Sequence, residues 1–213
     1  MASCVTEWIK SCSNIMLCAT ALYSSYKLFK DHRAPSIGLL VLGLSAGLSA
    51  GLCISHPSSS FLSSLQKEAE WAGEVLAPAL VSFHFLWLSE DHNTAHILLC
   101  GSCLLLGLCD WLSADALTLL TRCLGLSSLS CCLTVCLFAG NALGALGGVA
   151  LSLPLLVAPG VGTNSFAPLI SPSATEGMLK WLLKGFMSIG CLASTQALDK
   201  FLLDLTDRCN LSI

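Results

Sequence analysis

The stretch from Gly38 to Ile54 reads GLLVLGLSAGLSAGLCI, and it decides how the rest of the chain is interpreted. It has no charge and no proline, and glycine recurs at every fourth position, at Gly43, Gly47 and Gly51. On a helix these positions share one face and form a groove without side chains. In a bilayer such a groove is a packing surface, because lipid gives helices no hydrophobic reason to associate and close backbone approach supplies van der Waals contact.

A second copy of this glycine pattern occurs about 100 residues later along the chain. The segment GNALGALGGVALSLPLL carries Gly140, Gly144 and Gly148 at the same four-residue spacing. We therefore predict that these two glycine-rich helices form the tightly packed centre of a small membrane protein. The predicted helix-packing residues are Gly43, Gly47, Gly51, Gly140, Gly144 and Gly148.

The composition indicates the same class of protein. Of the 213 residues, 54% are hydrophobic and only 11% are charged, whereas soluble domains carry about 25% charged residues. The net charge of −3 includes no basic stripe, which argues against a nucleic-acid partner. Most of the 13 cysteines lie in apolar runs, where cysteine behaves as a small hydrophobic residue. The fold prediction is a single all-α, polytopic membrane helix bundle over residues 1–213.

Seven apolar runs have nearly the ~20 residues that a helix needs to cross a bilayer. The predicted spans are residues 8–28, 35–54, 71–88, 95–111, 116–138, 141–157 and 178–198. Six spans is the competing count, if the first or last run lies on the membrane surface. A basic cluster between the first two spans, containing Lys27, Lys30 and Arg33, predicts a cytosolic loop. The N-terminus is then lumenal and the C-terminus cytosolic, and the modest span lengths favour an internal membrane of the endoplasmic reticulum or Golgi.

The spans also predict an internal repeat. Residues 8–88 and 116–198 form two triplets joined by span 95–111, and each triplet has a glycine-rich helix in the middle. In outline this three-plus-one-plus-three layout resembles the seven-span sugar transporters of the SWEET class. The proline-glutamine motif of their wider relatives is absent from this chain. The resemblance therefore implies an architecture, and transport of a small solute only by analogy.

Ionisable residues inside spans are costly, so each is a candidate functional residue. Glu70 and Glu74 lie one helical turn apart, and with His84 they form a candidate transport or polar site. The alternative is a solvated helix start with a hydrogen-bonded histidine. Arg122 is predicted to form an intramembrane charge pair with Asp110, across the turn between the fourth and fifth spans. Asp115, two turns earlier on the helix of Arg122, is the other available partner.

His92 and His96 have the i, i+4 spacing that lets two imidazoles share a metal ion on one helix. Two histidines are a weak signal, and a polar helix start at the membrane surface is the alternative. We predict no cofactor and no catalytic residue, because no nucleophile elbow, phosphate loop or zinc-protease motif occurs in the sequence.

Three functions remain open after this inspection. The first is a non-enzymatic subunit or scaffold that binds another integral membrane protein through small-residue helix faces. The second is a small-solute or ion transporter, which requires a hydrated cavity at the middle of the membrane. The third is an intramembrane lipid-modifying enzyme, which requires His92 and His96 to lie around a metal with further ligands.

Overall fold

The computed structural model describes residues 2–30, 32–55, 60–157 and 174–211, and all regular structure in these ranges is helical. The helices are α1 (Ala2–Leu28), α2 (Arg33–Ser55), α3 (Ser60–Leu88), α4 (His92–Gly107), α5 (Ala114–Phe138), α6 (Ala142–Val157) and α7 (Ala174–Leu211). The all-helical prediction is confirmed for these ranges. Three helical segments are long and apolar enough to cross a membrane, Arg33–Leu52, Ser64–Leu88 and Ala114–Phe138, and Ala142–Val157 is a shorter apolar helix. The count of seven spans stays a prediction.

Successive helices run in opposite directions, as short connections between packed neighbours require. The connection between α3 and α4, for example, is three residues long, and Trp87 on α3 lies against His92 on α4. The first and last helices are parallel neighbours. Lys184 of α7 bonds to Asn14 of α1, and near their other ends Lys27 of α1 pairs with Asp199 of α7. The helices therefore form an up-and-down bundle that α1 and α7 close.

Two helices continue well beyond the predicted spans. Helix α3 begins at Ser60, whereas the predicted span begins at residue 71, and α7 covers Ala174–Leu211 against a predicted 178–198. The reason is that span prediction counts only apolar residues, whereas a helix satisfies its own backbone hydrogen bonds in water as well as in lipid. Helix α4 differs in the other direction, because it ends at Gly107, four residues before the end of its predicted span at residue 111.

An apolar core lies among six of the helices. Its largest fully buried side chains include Leu39 on α2, Phe85 on α3, Leu151 on α6 and Met187 on α7. Helix α4 contributes nothing to this core, and its buried residues pack against α3 and α5 in two smaller clusters. A cluster of buried apolar side chains therefore forms the core of the bundle, and α4 lies at its periphery.

Serine hydrogen bonds connect the helices within this apolar surrounding. Ser25 of α1 and Ser36 of α2 each donate to the other's backbone carbonyl, at 2.8 and 2.9 Å. Ser128 of α5 donates to the carbonyl of Pro78 on α3 at 2.9 Å, and Ser82 donates to the carbonyl of Ser128 at 2.9 Å. Such bonds are worth about 0.6 kcal/mol each on average between membrane helices. They add to the packing of small residues instead of replacing it.

Candidate functional site

A charged cluster joins three helices that are distant in sequence. The Nζ atom of Lys184 on α7 donates to Oδ1 of Asn14 on α1 at 2.5 Å and forms an ion pair with Glu70 on α3. The Lys184 and Glu70 side chains are 13% and 28% exposed, and Asn14 is completely buried. Among the residues that the structure describes, the Nδ2 group of Asn14 has no hydrogen-bond partner. Of these three residues, the sequence indicated only Glu70 as a candidate, since neither Asn14 nor Lys184 forms a motif with it.

Glu74 belongs to the same cluster, and His84 does not. Glu74 lies one turn beyond Glu70, within electrostatic range of Glu70, Lys184 and Lys180. His84 is ten residues further along α3, which is about 15 Å at 1.5 Å per residue. The three residues that the sequence grouped together therefore occupy two places, one at the middle of α3 and one near its C-terminal end.

At its own end of α3, His84 contacts another histidine. Its Nε2 atom lies 2.5 Å from Nδ1 of His32, and the two rings meet edge to face with centroids 4.6 Å apart. His32 precedes α2 and is 2% exposed. One of these two nitrogens carries the proton that the other accepts, so the pair connects the α1–α2 turn to α3. The sequence did not predict this pair, because the two histidines are 52 positions apart.

His92 and His96, the weakly indicated metal-ligand candidates, lie close to the ring of Trp87. His92 lies 4.3 Å from Trp87 and His96 lies 5.7 Å from it, measured between ring centroids. The ring of Phe83 also stacks on Trp87, with centroids 5.7 Å apart. In the part of the chain that the structure describes, no group of three or more His, Cys, Asp or Glu side chains could hold a metal ion. His92 and His96 thus form part of an exposed aromatic cluster at the start of α4.

Asp110 and Arg122, the predicted charge pair, lie in and after the turn that connects α4 and α5. Asp110 is exposed in the turn, where its Oδ1 atom accepts a long hydrogen bond from the Cys109 thiol at 3.8 Å. Arg122 is half-buried on α5, and Asp115 is exposed in the first turn of that helix. The pairing of Arg122 with either aspartate stays a prediction.

Four of the six predicted packing glycines face a neighbouring helix of the same chain. A Cβ atom added at Gly43 or Gly47 would meet Leu22 or the Cys18 sulfur on α1, at 2.9 and 3.0 Å. Similarly, a Cβ atom at Gly144 would lie 2.6 Å from the Cys136 sulfur on α5, and one at Gly148 would lie 2.5 Å from the Cys132 sulfur. In both triplets a glycine pair four residues apart packs on a residue pair four apart in the preceding helix. A repeat produces this arrangement, although the repeat itself stays a prediction.

The other two predicted packing glycines do not contact a helix. A Cβ atom at Gly51 would meet nothing within 4 Å. Gly140 lies in the turn after α5 with φ = +67°, and a Cβ atom there would also meet open space. Its N–H bonds to the carbonyl of Leu137, and the next N–H, of Asn141, bonds to the carbonyl of Cys136. This is a Schellman motif, which requires a left-handed residue and favours glycine for that reason. The placement of Gly140 on a helix groove is corrected accordingly.

Several close-packing glycines were missed because they have no four-residue period. A Cβ atom at Gly147 would lie 2.9 Å from the backbone nitrogen of Ser194 on α7. One at Gly73 on α3 would lie 3.0 Å from the Cα atom of Leu42 on α2. These glycines therefore also join helices of the same chain.

One open surface among the described residues is the face formed by α4 and α5. An apolar cavity of about 480 Å³ runs between these helices. Its floor on α5 carries small residues four apart, Cys123, Ser127 and Cys131, and Gly101 lies opposite on α4. We call this cavity the α4–α5 groove. A Cβ atom at Gly101 would be 3.9 Å from Leu124, which is an ordinary contact distance.

A comparison with known proteins gives one relative. The chain is 26% identical over 147 residues to a protein named transmembrane protein 276 from Bos taurus, and the match covers 68% of this chain and 72% of the relative. No family model matches the chain. No solved structure matches it. Together with the long apolar helices, this similarity shows an integral membrane protein.

Proposed function

We propose that this protein is a non-enzymatic membrane subunit or scaffold that binds another integral membrane protein at the α4–α5 groove. The observation that carries the proposal is the open, small-residue floor of this groove, on the helix pair that is least covered by its own chain. Only 28% of the apolar window of α5 is buried, against 56% for the corresponding windows of α2 and α3. Helix α5 therefore presents most of its surface to whatever surrounds the bundle.

The shape of the groove suits a partner helix. Large side chains rise at its sides, with Ile97 and Leu104 of α4 73% and 61% exposed. On α5 the lining consists of the small residues Cys123, Ser127 and Cys131 together with Leu120 and Leu124. A ridge of side chains on another helix packs into such a groove, and small residues allow the close backbone approach that drives association in lipid.

A transporter is the second candidate, and one observation favours it. Charged residues that sit within apolar helices often mark a solute or proton pathway, and Lys184, Glu70 and Glu74 form such a cluster. The core beyond this cluster argues against the pathway, because it is filled by residues such as Phe85, Leu151 and Met187. A lipid-modifying enzyme has less support, since His92 and His96 lie against Trp87 and have no third metal ligand among the described residues.

The proposed location is an internal membrane, with the N-terminus lumenal and the C-terminus cytosolic. The support is the basic segment between α1 and α2, with Lys27 and Arg33 near its ends. Glycosylation sites added to either terminus test this orientation. We expect a glycan on the N-terminal site alone, and a glycan on the C-terminal site alone would reverse the assignment.

Filling the groove tests partner binding directly. Gly101→Leu places a side chain into the groove without a backbone clash, because its Cβ position has only an ordinary contact. The matched control is Gly185→Leu on α7, where an added Cβ atom meets nothing within 4 Å. Both variants and the unchanged chain are purified in a mild detergent, and co-purified proteins are quantified by mass spectrometry.

We expect one stoichiometric partner with the unchanged chain and with Gly185→Leu, and at least a tenfold loss of it with Gly101→Leu. Size-exclusion profiles and melting temperatures establish that both variants are folded. The proposal is contradicted if the unchanged chain purifies alone at full abundance, or if the two variants retain the partner equally.

A further inference from the structure

A second cavity adjoins the α4–α5 groove at the α3–α4 turn. This cavity measures about 430 Å³, and its lining is mostly apolar, with a few hydroxyl groups and one carboxylate. The polar lining residues are Ser89, Asp91, Thr94, Ser130 and Thr134. Thr94 and Cys131 line both cavities, so the second cavity continues the groove. An occupant of the groove thus meets the Asp91 carboxylate among apolar side chains at this side of the bundle.

Asp91 supplies the charge at that end. It is the N-cap of α4, and its Oδ1 atom accepts a hydrogen bond from the backbone N–H of Thr94 at 3.2 Å. Hydrogen bonding from Thr94 holds the pKa of Asp91 below its usual value, so the side chain is a carboxylate at neutral pH. The carboxylate also lies within electrostatic range of the Cys131 thiol on the opposite helix. Its charge therefore reaches into the cavity and is not confined to the turn.

We propose that the groove receives a transmembrane helix that carries a lysine or arginine near its end, and that this cation pairs with Asp91. This inference rests on the proposed function and adds the chemistry by which the partner is selected. Helices that cross a membrane commonly have lysine or arginine where they leave it on the cytosolic side. The Asp91 carboxylate holds the helix cap through Thr94, and it is exposed, so a cation can also approach it. The apolar groove supplies contact area, and the carboxylate fixes the direction and depth of the partner.

A lipid with an amine head group presents similar chemistry, with a cation above an apolar chain. The groove floor favours a helix, because Cys123, Ser127 and Cys131 repeat at the four-residue spacing that matches ridges on a second helix. An acyl chain does not need this periodicity. The lipid is therefore an outcome that the experiment must detect separately.

The test removes the charge and keeps the cap. Asp91→Asn retains an N-cap residue of equal quality but has no charge. Glu90→Gln is the matched control, since Glu90 occupies the neighbouring position, is exposed and does not line the cavity. We expect the dissociation constant of the identified partner to rise at least threefold for Asp91→Asn and to stay within twofold for Glu90→Gln. The difference should shrink as salt is raised, because an exposed pair is screened.

A double-mutant cycle identifies the partner residue. Replacing the partner's terminal lysine or arginine with glutamine should weaken binding to the unchanged chain and have no further effect on Asp91→Asn. Equal effects in both backgrounds would overturn the inference, and so would recovery of an amine-headed lipid that Asp91→Asn loses. If Gly101→Leu abolishes binding and Asp91→Asn does not weaken it, the groove function stands and the charge selection fails. If Gly101→Leu has no effect, the groove function itself fails.

Discussion

Gly147 allows a quantitative test of how closely α6 and α7 approach each other. A Cβ atom at this position would lie 2.9 Å from the backbone nitrogen and 3.2 Å from the Cα atom of Ser194, and closer still to its hydroxyl oxygen. The hydroxyl can rotate away, whereas the backbone of α7 can move only with its helix. Gly147→Ala therefore forces the two helices apart by several tenths of an ångström.

The expected cost follows from two opposing effects. Overpacking of this kind destabilises by about 1–3 kcal/mol, and exchanging glycine for alanine inside a helix returns at most about 1 kcal/mol. We expect a net loss of about 1–2 kcal/mol in the free energy of unfolding. Gly185→Ala is the control, because an added Cβ atom there meets nothing within 4 Å and only the helix-propensity gain remains.

Equilibrium unfolding in mixed detergent micelles, with increasing sodium dodecyl sulfate, measures both variants against the unchanged chain. The two variants should differ by about 2 kcal/mol, with Gly147→Ala the less stable. If Gly147→Ala is as stable as Gly185→Ala, then α6 and α7 are not in backbone contact, and the reasoning about close-packed glycines is wrong.

Two further predictions concern the polar contacts between helices. Lys184→Met should lower the free energy of unfolding by about 1–3 kcal/mol in the same micelle titration. The loss is smaller than for a fully buried pair because the Glu70 side chain is 28% exposed. Adding Glu70→Gln should recover most of the lost stability. A double variant as unstable as the single one would show that the pair does not hold α3 and α7 together. Ser128→Ala removes the hydrogen bond to the Pro78 carbonyl and should lower the free energy of unfolding by about 0.5–1 kcal/mol. Ser130 lies on the exposed side of α5, so Ser130→Ala should leave the stability unchanged. Equal effects of the two substitutions would contradict the role assigned to Ser128.

The sequence predicted the helical class, because it depends on local composition and spacing, whereas the packing role of the small residues stays a prediction. Residues four positions apart lie on the same face of a helix. This rule alone predicts Gly43 and Gly144 as packing positions. The sequence could not predict the close contact of Gly147 with α7. A single close approach depends on where α7 lies and leaves no periodic pattern in the sequence. Gly140 was assigned wrongly for a related reason, because a helix cap and a packing glycine look the same when both fall at the four-residue spacing.

The polar contacts were harder to predict than the glycine contacts. Glu70 was identified as a candidate because a carboxylate within an apolar helix is conspicuous, but its ion-pair partner is 114 positions away. His84 was grouped with Glu74 because they lie on one helix, yet it pairs with His32 from another segment. Such pairings are determined by the order in which helices surround the core, which spacing along the chain does not encode.

The contact between the first and last helices has a consequence for synthesis. Asn14 bonds to Lys184, which is translated 170 residues later. At ~5–20 residues per second, this delay is on the order of 10–30 s. During that time the Asn14 amide on α1 and the Glu70 carboxylate on α3 lack their lysine partner. We therefore expect nascent chains to be retained beside the insertion machinery or a chaperone until α7 emerges. Truncation before α7 should therefore lead to rapid degradation, even though α1 to α6 have been made.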